Sequence, residues 1–397
     1  MNALLELKDL IVSFQGNETE NKNENNNENN NENKNENNNE NNNENNNENK
    51  NENNNENNNE NKNENNNEND NKLVTAVSGF SLSIREKETL ALVGETGCGK
   101  SVVAHAIMRL LPPESRVKGK IEFGGRDLLE LSEKEMAKLR GKEISIIFQN
   151  PSLALNPVYS IGHQLAEPLR IHEQEIQHGK EGKEKRKEEG KEKDWKEKKK
   201  ENGKKKKENA SLSRVAKALK RVGFSNPHEY MGYYPSWCSG GMNQRFLIAS
   251  STMLDPVLLI ADEPSKGLDR NRVSELENEL KGLKEKSETT LLLISHDLGF
   301  VQQLADRIAV MYAGEIVEIA SPSSLFESPY HPYTQGLLNS LPERGFVPIP
   351  GSSPPLSNPP AGCRFHPRCS IKEKRCMQER PELKESNGRA VRCFLCP

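Results

Sequence analysis

Apolar residues along the chain alternate between two patterns. Helix-like stretches, such as Val102–Leu111 and Arg270–Glu285, separate shorter runs of strand length. Those runs are Leu90–Val93, Ile144–Phe148, Val257–Ala261, Thr290–Ile294 and Ile308–Tyr312. Because buried strands that alternate with helices are typical of parallel sheets, the pattern predicts an α/β fold with many parallel strands.

The N-terminal region predicts an interrupted hairpin. Residues 4–14 and Ala76–Ile84 have strand patterns, and residues 17–72 between them are almost wholly Asn and Glu. Asn is a poor helix former, and glutamates four apart repel one another along a helix, so we expect a disordered loop between two paired strands. Closing a loop costs only logarithmically more as it lengthens, so the insertion is tolerable. Residues 308–319 predict a second hairpin that turns at Ala313-Gly314.

Two changes in composition divide the rest of the chain. Residues 173–209 consist mainly of Lys, Glu and Gly, and we expect a solvated loop there, within a helical subdomain at about 150–250. A tether to anionic lipid is the alternative. From about Phe346 a linker rich in Pro, Gly and Ser leads into a cysteine-rich tail. The predicted domains are therefore 1–340 and 341–397.

Composition and charge exclude several classes of protein. The formal net charge of −3 favours neither nucleic acid nor membrane, and the hydrophobic content of 32% is low because of the two polar tracts. No apolar run approaches the roughly 20 residues that span a bilayer, and the N-terminus does not resemble a secretory signal, so we expect a cytosolic protein. Five of the seven cysteines fall in the last 35 residues. In a reducing compartment that favours metal ligands or free thiols over disulfides.

A glycine-rich segment between a predicted strand and a predicted helix fits the Gly-x4-Gly-Lys-Ser phosphate loop. It consists of Gly94, Glu95, Thr96, Gly97, Cys98, Gly99, Lys100 and Ser101. Successive backbone N–H groups in such a loop wrap phosphate oxygens at a helix N-terminus. Lys100 is predicted to reach the β and γ phosphates of ATP, and Ser101 to ligate Mg²⁺. The alternative is a glycine-rich turn without a nucleotide.

The apolar run at Val257–Ala261 ends in two acidic residues. Asp262 is predicted to enter the Mg²⁺ shell near the phosphate loop, and Glu263 to polarise an attacking water. An acidic pair after an apolar run is a weak signal alone. Together with the phosphate loop it predicts an ATPase.

Further motifs in the same order along the chain resemble those of ABC-transporter ATPases. The segment 238–245, Cys-Ser-Gly-Gly-Met-Asn-Gln-Arg, is similar to the family's signature motif. Gln149 matches its Q-loop, residues 265–269 its D-loop and His296 its switch histidine. The resemblance implies an α/β, ABC-type P-loop ATPase core with an antiparallel β subdomain, a helical subdomain and a Cys-rich C-terminal extension.

The resemblance also implies how ATP is bound. Two such domains pack head to tail, and each ATP lies between the phosphate loop of one chain and the signature turn of the other. The turn contains Ser239, Gly240, Gly241 and Met242. Their free N–H groups would form a second anion cradle at a helix N-terminus, so one chain cannot complete a site.

Individual roles follow from the same resemblance. Glu263 is the general base, and His296 contacts the γ-phosphate. Gln149 senses Mg²⁺ and the attacking water, and Asp269 reports across the dimer. Phe14 stacks on adenine, with burial in the core as the alternative.

Three positions depart from the usual motifs of the family. Cys98 replaces a frequent serine; the position contributes its backbone N–H, so we expect binding to survive, with sensitivity to oxidation. Cys238 replaces a leucine and is expected to be a small buried apolar side chain. Met242 replaces the commoner glutamine and is similar to the peptide-importer branch.

Three longer segments, at 156–164, 331–338 and 358–369, look like the oligopeptide and dipeptide importer ATPases. Partners would then be two membrane permease subunits, a second ABC ATPase and an extracytoplasmic solute-binding protein, with this chain at the cytoplasmic face of the membrane and no nucleic acid bound. Nickel importers share the branch. The remaining alternatives are a soluble ABC ATPase that acts on nucleic acid or ribosomes, and a regulatory partner that binds ATP without cleaving it.

Four tail cysteines are candidate metal ligands, namely Cys363, Cys369, Cys376 and Cys393. Thiolates suit iron–sulfur clusters and Zn²⁺, and spacing does not separate the two. Because members of the resembling family carry a 4Fe-4S cluster on matching cysteines, that cluster is expected, while zinc and unligated thiols stay open. Cys396 makes the fourth position ambiguous.

Overall fold

The computed structural model describes residues 3–15, 73–181, 209–386 and 388–396. The loop predicted at 17–72 and most of the loop predicted at 173–209 lie outside these residues. The start of the second tract differs from the prediction, because helix α4 continues as far as Glu181. Within the described residues, no helix is both long enough and apolar enough to cross a membrane.

Strands and helices alternate through most of the described chain. The strands are β1 (Ala3–Gln15), β2 (Leu73–Arg85), β3 (Thr89–Val93), β4 (Arg116–Phe123), β5 (Arg126–Asp127), β6 (Ile144–Ile147), β7 (Leu258–Asp262), β8 (Thr290–Ser295), β9 (Arg307–Tyr312), β10 (Glu315–Ala320), β11 (Lys384–Ser386) and β12 (Arg389–Val391). The helices are α1 (Lys100–Met108), α2 (Glu133–Leu139), α3 (Pro151–Ala154), α4 (Ile161–Glu181), α5 (209–221), α6 (Pro227–Tyr230), α7 (Gly240–Ser251), α8 (Arg270–Ser287), α9 (Leu298–Leu304), α10 (Pro322–Glu327), α11 (Pro332–Asn339) and α12 (Lys374–Gln378).

The main sheet has the order β11-β12-β10-β9-β3-β8-β7-β6. Its five strands from β9 to β6 run parallel, and their side chains are buried almost throughout. This arrangement confirms the α/β class that the apolar runs predict. Because parallel strands share one carboxyl edge, the segments that follow β3, β6, β7 and β8 all emerge at the same edge of the sheet.

A second, antiparallel sheet has the order β2-β1-β4-β5. Strands β1 and β2 are neighbours in it although 57 residues separate Gln15 from Leu73 in sequence, as the interrupted hairpin predicts. The hydroxyls of Ser13 and Thr75 lie 3.1 Å apart across the two strands. The antiparallel subdomain expected from the resemblance is therefore present.

The predicted hairpin of β9 and β10 turns at Ala313 and Gly314, whose φ angles are 45° and 86°. Two positive φ values suit a tight hairpin turn. Gly314 donates its N–H to Cys98 O at 2.9 Å and accepts at its carbonyl from Ser78 N at 3.0 Å. The turn thus joins the phosphate loop to strand β2.

The cysteine-rich tail is attached to the main sheet. Strand β12 pairs with β10, and β11 pairs with β12. Strand β10 carries two buried acidic residues, Glu315 and Glu318, which are 2% and 0% exposed. Arg364 Nε lies 2.6 Å from Glu315, and Arg389 Nη2 lies 3.0 Å from Glu318. Arginines of the tail therefore compensate carboxylates that burial would otherwise make costly.

Candidate nucleotide-binding site

The phosphate loop lies between β3 and α1, as the sequence predicts. A Cβ on Gly94 would meet the carbonyl oxygen of Met311 at 2.1 Å, so only glycine fits beside β9. Gly97 has a φ of 82°, and a Cβ there would meet no atom of the described residues within 4 Å apart from its chain neighbours. The loop is therefore packed on one side and open on the other, where a phosphate could approach its N–H groups.

Lys100 is buried at the start of α1 and points back into the loop. Its Nζ donates to Gly94 O at 2.8 Å and to Glu95 O at 3.0 Å. Cys98, in the same loop, is 3% exposed, and burial raises the pKa of its thiol. A buried protonated thiol reacts slowly, so the structure argues against the oxidation sensitivity expected at Cys98.

Ser101 and Asp262 come together across two elements. Ser101 Oγ donates to Asp262 Oδ1 at 3.1 Å, joining the first turn of α1 to the end of β7. Burial raises the pKa of Asp262, although the Ser101 hydrogen bond partly offsets this. A buried carboxylate with a hydroxyl beside it offers the oxygen ligands that Mg²⁺ takes alongside substrate phosphates, so these two residues fit the predicted ion.

Glu263 and His296 also meet, although 33 residues separate them in sequence. Nδ1 of His296 lies 2.5 Å from Oε2 of Glu263, and the main-chain N–H of His296 donates to the same oxygen at 3.3 Å. Glu263 has a positive φ of 49° and is 7% exposed. A non-glycine residue in this region is strained, and such strain clusters at functional sites.

Two other predicted residues lie at the periphery. Gln149 follows β6, which is parallel to β7, so it emerges at the same sheet edge as Asp262. Its side chain is exposed and has no hydrogen-bond partner among the described residues. Phe14 is half-buried near the end of β1 and packs against the core beneath the antiparallel sheet. The core-burial alternative for Phe14 thus has a contact in its favour, and stacking on adenine stays a prediction.

The signature turn begins helix α7. Ser239 is the N-cap and accepts from Met242 N at 3.3 Å. Ser239 and Gly240 are exposed, and a Cβ on Gly240 would meet nothing within 4 Å. Free N–H groups at a helix start favour anions. Cys238 is half-buried and donates its thiol to Tyr234 O at 3.3 Å.

Asp269 caps helix α8, accepting from Arg272 N at 3.1 Å. Arg272 was not predicted from the sequence; its Nε lies 3.2 Å from Asp269 Oδ2, and its guanidinium lies against Gly241. Arg272 therefore links the D-loop to the signature turn. The arginine has no motif of its own, and only its spacing of three from Asp269 could have indicated the pair.

The tail thiols converge on one small cavity. Its lining includes Cys363, Cys369, Cys376 and Cys393, together with His331 and Phe365. Cys396 is outside this lining and donates its thiol to Tyr330 O at 3.0 Å. In the part of the chain that the structure describes, no three His, Cys, Asp or Glu side chains are close enough to hold a single metal ion.

These features together define an ATP-binding cassette. One α/β core with an attached antiparallel sheet carries the phosphate loop, the Ser101–Asp262 contact, the Glu263–His296 pair and the exposed signature turn. A family model for ABC transporters matches residues 77–266, and a model for the oligopeptide/dipeptide transporter C-terminal region matches residues 317–376.

Curated relatives cover most of the chain. The dipeptide transport ATP-binding protein DppD of Bacillus subtilis is 39% identical over 81% of this chain and 89% of its own length. The oligopeptide transport ATP-binding protein OppD of the same organism is 40% identical over 81% and 84%. Among solved structures, the match to MJ0796, a bacterial ABC transporter cassette, covers 63% of this chain and 92% of that chain at 22% identity. Its TM-score is 0.49, which is too low to support any further argument. The chain belongs to the family of ATP-binding subunits of oligopeptide/dipeptide ABC transporters.

Proposed function

We propose that this chain binds and hydrolyses MgATP at the cytoplasmic face of a membrane and thereby drives the import of oligopeptides or dipeptides. One observation supports this most strongly. The Ser101–Asp262 and Glu263–His296 contacts lie at the ends of neighbouring strands β7 and β8 and beside the phosphate loop. Groups that bind phosphate, hold Mg²⁺ and activate water therefore share one edge of the sheet.

The chain's own residues divide the work of binding. N–H groups of residues 97–101 bind the phosphates, and Lys100 exchanges its contacts with loop carbonyls for phosphate oxygens. Ser101 and Asp262 would hold Mg²⁺, which supplies charge neutralisation at the β and γ phosphates. Gln149 reaches the same region from β6, and Phe14 contributes a ring face for adenine.

Glu263 acts on the attacking water. Its carboxylate takes the proton of a water aligned with the γ-phosphate, and His296 holds that carboxylate in place through Nδ1. With Nδ1 engaged, Nε2 of His296 is left for the γ-phosphate. Both side chains stand on rigid strand ends, which keeps their separation fixed through the reaction.

A second chain completes the site. The signature turn is exposed and open above Gly240, and the N–H groups of Gly240 and Gly241 are the ones available to the γ-phosphate of ATP held by a partner ATPase. Closure of the two ATPase chains on ATP binding and their reopening after hydrolysis would move two membrane permease subunits. A solute-binding protein would deliver the peptide to the permeases from outside the membrane. Matches to relatives that carry dipeptides or oligopeptides support peptides as the cargo, and nickel or another small solute is the alternative.

The decisive experiment replaces Glu263 by Gln in the complex assembled with its permeases. We expect the variant to bind MgATP as the wild type does, to lose turnover by about 100-fold or more, and to accumulate closed dimers. The matched control is Glu285→Gln, an exposed position on α8. Normal hydrolysis by Glu263→Gln would remove the catalytic assignment, and ribosomal or nucleic-acid partners in place of permeases in a detergent extract would favour the soluble alternative.

We propose further that the four tail thiols hold an iron–sulfur cluster. Four thiols line one cavity, while no three side chains of the described residues are close enough for one metal ion. A 4Fe-4S cluster spans more widely spaced thiolates than Zn²⁺ does, and when bound it would cross-link four points of the tail. We expect anaerobically purified protein to contain iron and sulfide and to lose both in Cys376→Ser, with Cys396→Ser unchanged. Iron-free wild-type protein with four modifiable thiols would contradict the cluster.

A further inference from the structure

Glu95, the second residue of the phosphate loop, is held by two residues that lie far along the chain. Its N–H donates to the hydroxyl of Tyr333 at 2.9 Å. Both of its carboxylate oxygens accept from Nη1 of Arg368, at 3.1 and 2.9 Å. Tyr333 and Arg368 lie 238 and 273 residues further along the chain, in the C-terminal region. Two separate groups of that region therefore act on one loop residue.

The side chains of Tyr333 and Arg368 are both buried and packed against other residues. Tyr333 is fully buried, with its ring 4.5 Å from that of Tyr312 and 5.5 Å from that of Phe365. The Arg368 side chain is 7% exposed, and its Nε donates to Pro350 O at 3.0 Å. Side chains that are fixed by packing and by other hydrogen bonds can fix the position of a residue that they contact, because they do not move when that residue moves.

The carbonyl of the same loop residue faces the phosphate-binding lysine. Lys100 Nζ donates to Glu95 O at 3.0 Å, and its other carbonyl contact is to the adjacent Gly94. The N–H of Glu95 is thus held by Tyr333 and its carboxylate by Arg368, while the carbonyls of Gly94 and Glu95 accept from the ammonium of Lys100. Any shift of Glu95 displaces that ammonium and the first N–H groups of the cradle.

We propose that Tyr333 and Arg368 are positioning residues for ATP binding, which act through Glu95 to hold the phosphate loop and Lys100 in the binding conformation. The inference rests on the proposed ATPase function and adds a role for the C-terminal region within it. Both residues contact Glu95, and the proposal assigns them no contact with the nucleotide. Their effect is on the affinity of the loop for phosphate, and the turnover step at Glu263 is left unchanged.

The test uses the full chain assembled with its partners and compares MgATP affinity and turnover separately. Tyr333→Phe keeps the ring packing and removes the oxygen that Glu95 N–H needs; Arg368→Gln removes the charge. Each is expected to weaken MgATP binding on the order of tenfold, with kcat at saturating ATP within about twofold of wild type. The matched controls are Tyr330→Phe, a half-buried tyrosine just before α11, and Arg375→Gln, an exposed arginine of the tail that is paired with Glu379.

A double-mutant cycle with Glu95→Gln separates positioning from general stability. If Arg368 acts through Glu95, Arg368→Gln adds little to the loss of affinity in Glu95→Gln, because the partner is already gone. Affinity changes in Tyr333→Phe and Arg368→Gln no larger than in their controls, or full additivity in the cycle, would overturn the inference. Wild-type protein that binds no MgATP would overturn the proposed function as well, whereas unchanged variants of a binding wild type overturn only this inference.

Discussion

The imidazole of His296 and the carboxylate of Glu263 form a close pair, with Nδ1 and Oε2 2.5 Å apart at the ends of neighbouring strands. The His296 side chain is about half exposed, whereas the carboxylate is nearly buried. The pair therefore presents one ring nitrogen to the protein and leaves the other facing outward. In this geometry His296 holds the carboxylate in place, and Glu263 is the proposed base.

Replacing His296 by Ala is expected to reduce turnover on the order of 100-fold while MgATP binding stays within a few-fold of wild type. The physical reason is that Glu263 loses the group that orients its carboxylate. Single-turnover hydrolysis and equilibrium binding measure the two quantities separately. His228→Ala, at an exposed position on α6, serves as the control. A large loss of MgATP binding in His296→Ala would show instead that the histidine holds the phosphate loop in place.

Asp262→Asn is expected to abolish Mg²⁺-dependent ATP binding and yet to leave the nucleotide-free protein as stable as wild type at pH 7, or more so. Burial raises the pKa of Asp262, so its ionised form is disfavoured in the folded chain without a cation. Isothermal calorimetry with and without Mg²⁺ and a thermal midpoint test both parts. A strongly destabilised Asp262→Asn would show that the Ser101 hydrogen bond outweighs the buried charge.

Gly240→Ala is expected to fold normally and to fail in the assembled complex. Apart from its chain neighbours and its own helix backbone, no atom of the described residues lies within 4 Å of the added methyl group, and the residue lies at the start of α7 without a positive φ. Only a partner's phosphate would meet it. The thermal midpoint of the isolated chain should stay within about 2 °C, while ATPase activity of the complex drops at least tenfold. Full activity in the complex would argue against a phosphate above this turn.

Glu279 predicts a pH dependence of stability that is unrelated to catalysis. It lines a cavity of about 570 Å³ between α5, α7 and α8, where Oε2 has no hydrogen-bond partner among the described residues. Burial raises the pKa of Glu279 from 4.5 to about 7. Between these values the unfolded chain has released the proton and the folded chain retains it, so stability falls as pH rises from 4.5 to 7.

Glu279→Gln should remove that dependence and stabilise the chain at pH 8 by on the order of 1 to 3 kcal/mol, with little effect near pH 4.5. Denaturant titrations across this range measure it, and Glu285→Gln on the exposed face of α8 is the reference. Parallel pH profiles for wild type and Glu279→Gln would mean that solvent reaches the carboxylate.

Local patterns predicted much of the fold and of the site. Strand-sized apolar runs and the phosphate loop are continuous in sequence, so their structure follows from propensity and spacing. The pairing of Glu95 with Arg368 could not be predicted, because a contact between residues 273 positions apart leaves no local signal. Arg272 and Glu279 were missed for a similar reason, since each looks like an ordinary charged position of an amphipathic helix. The burial of Cys98, which raises the pKa of its thiol, could not be predicted from its motif.

The two acids buried on β10 limit how this protein can change over evolutionary time. Glu315 and Glu318 belong to the sheet, whereas Arg364 and Arg389, which neutralise them, belong to the tail. A substitution that removes one partner of either ion pair leaves the other charge buried and unpaired. Strand β10 and the tail must therefore change together. Chimaeras that graft another family member's C-terminus onto this cassette should therefore fold only when the donor's own β10 is carried across with it.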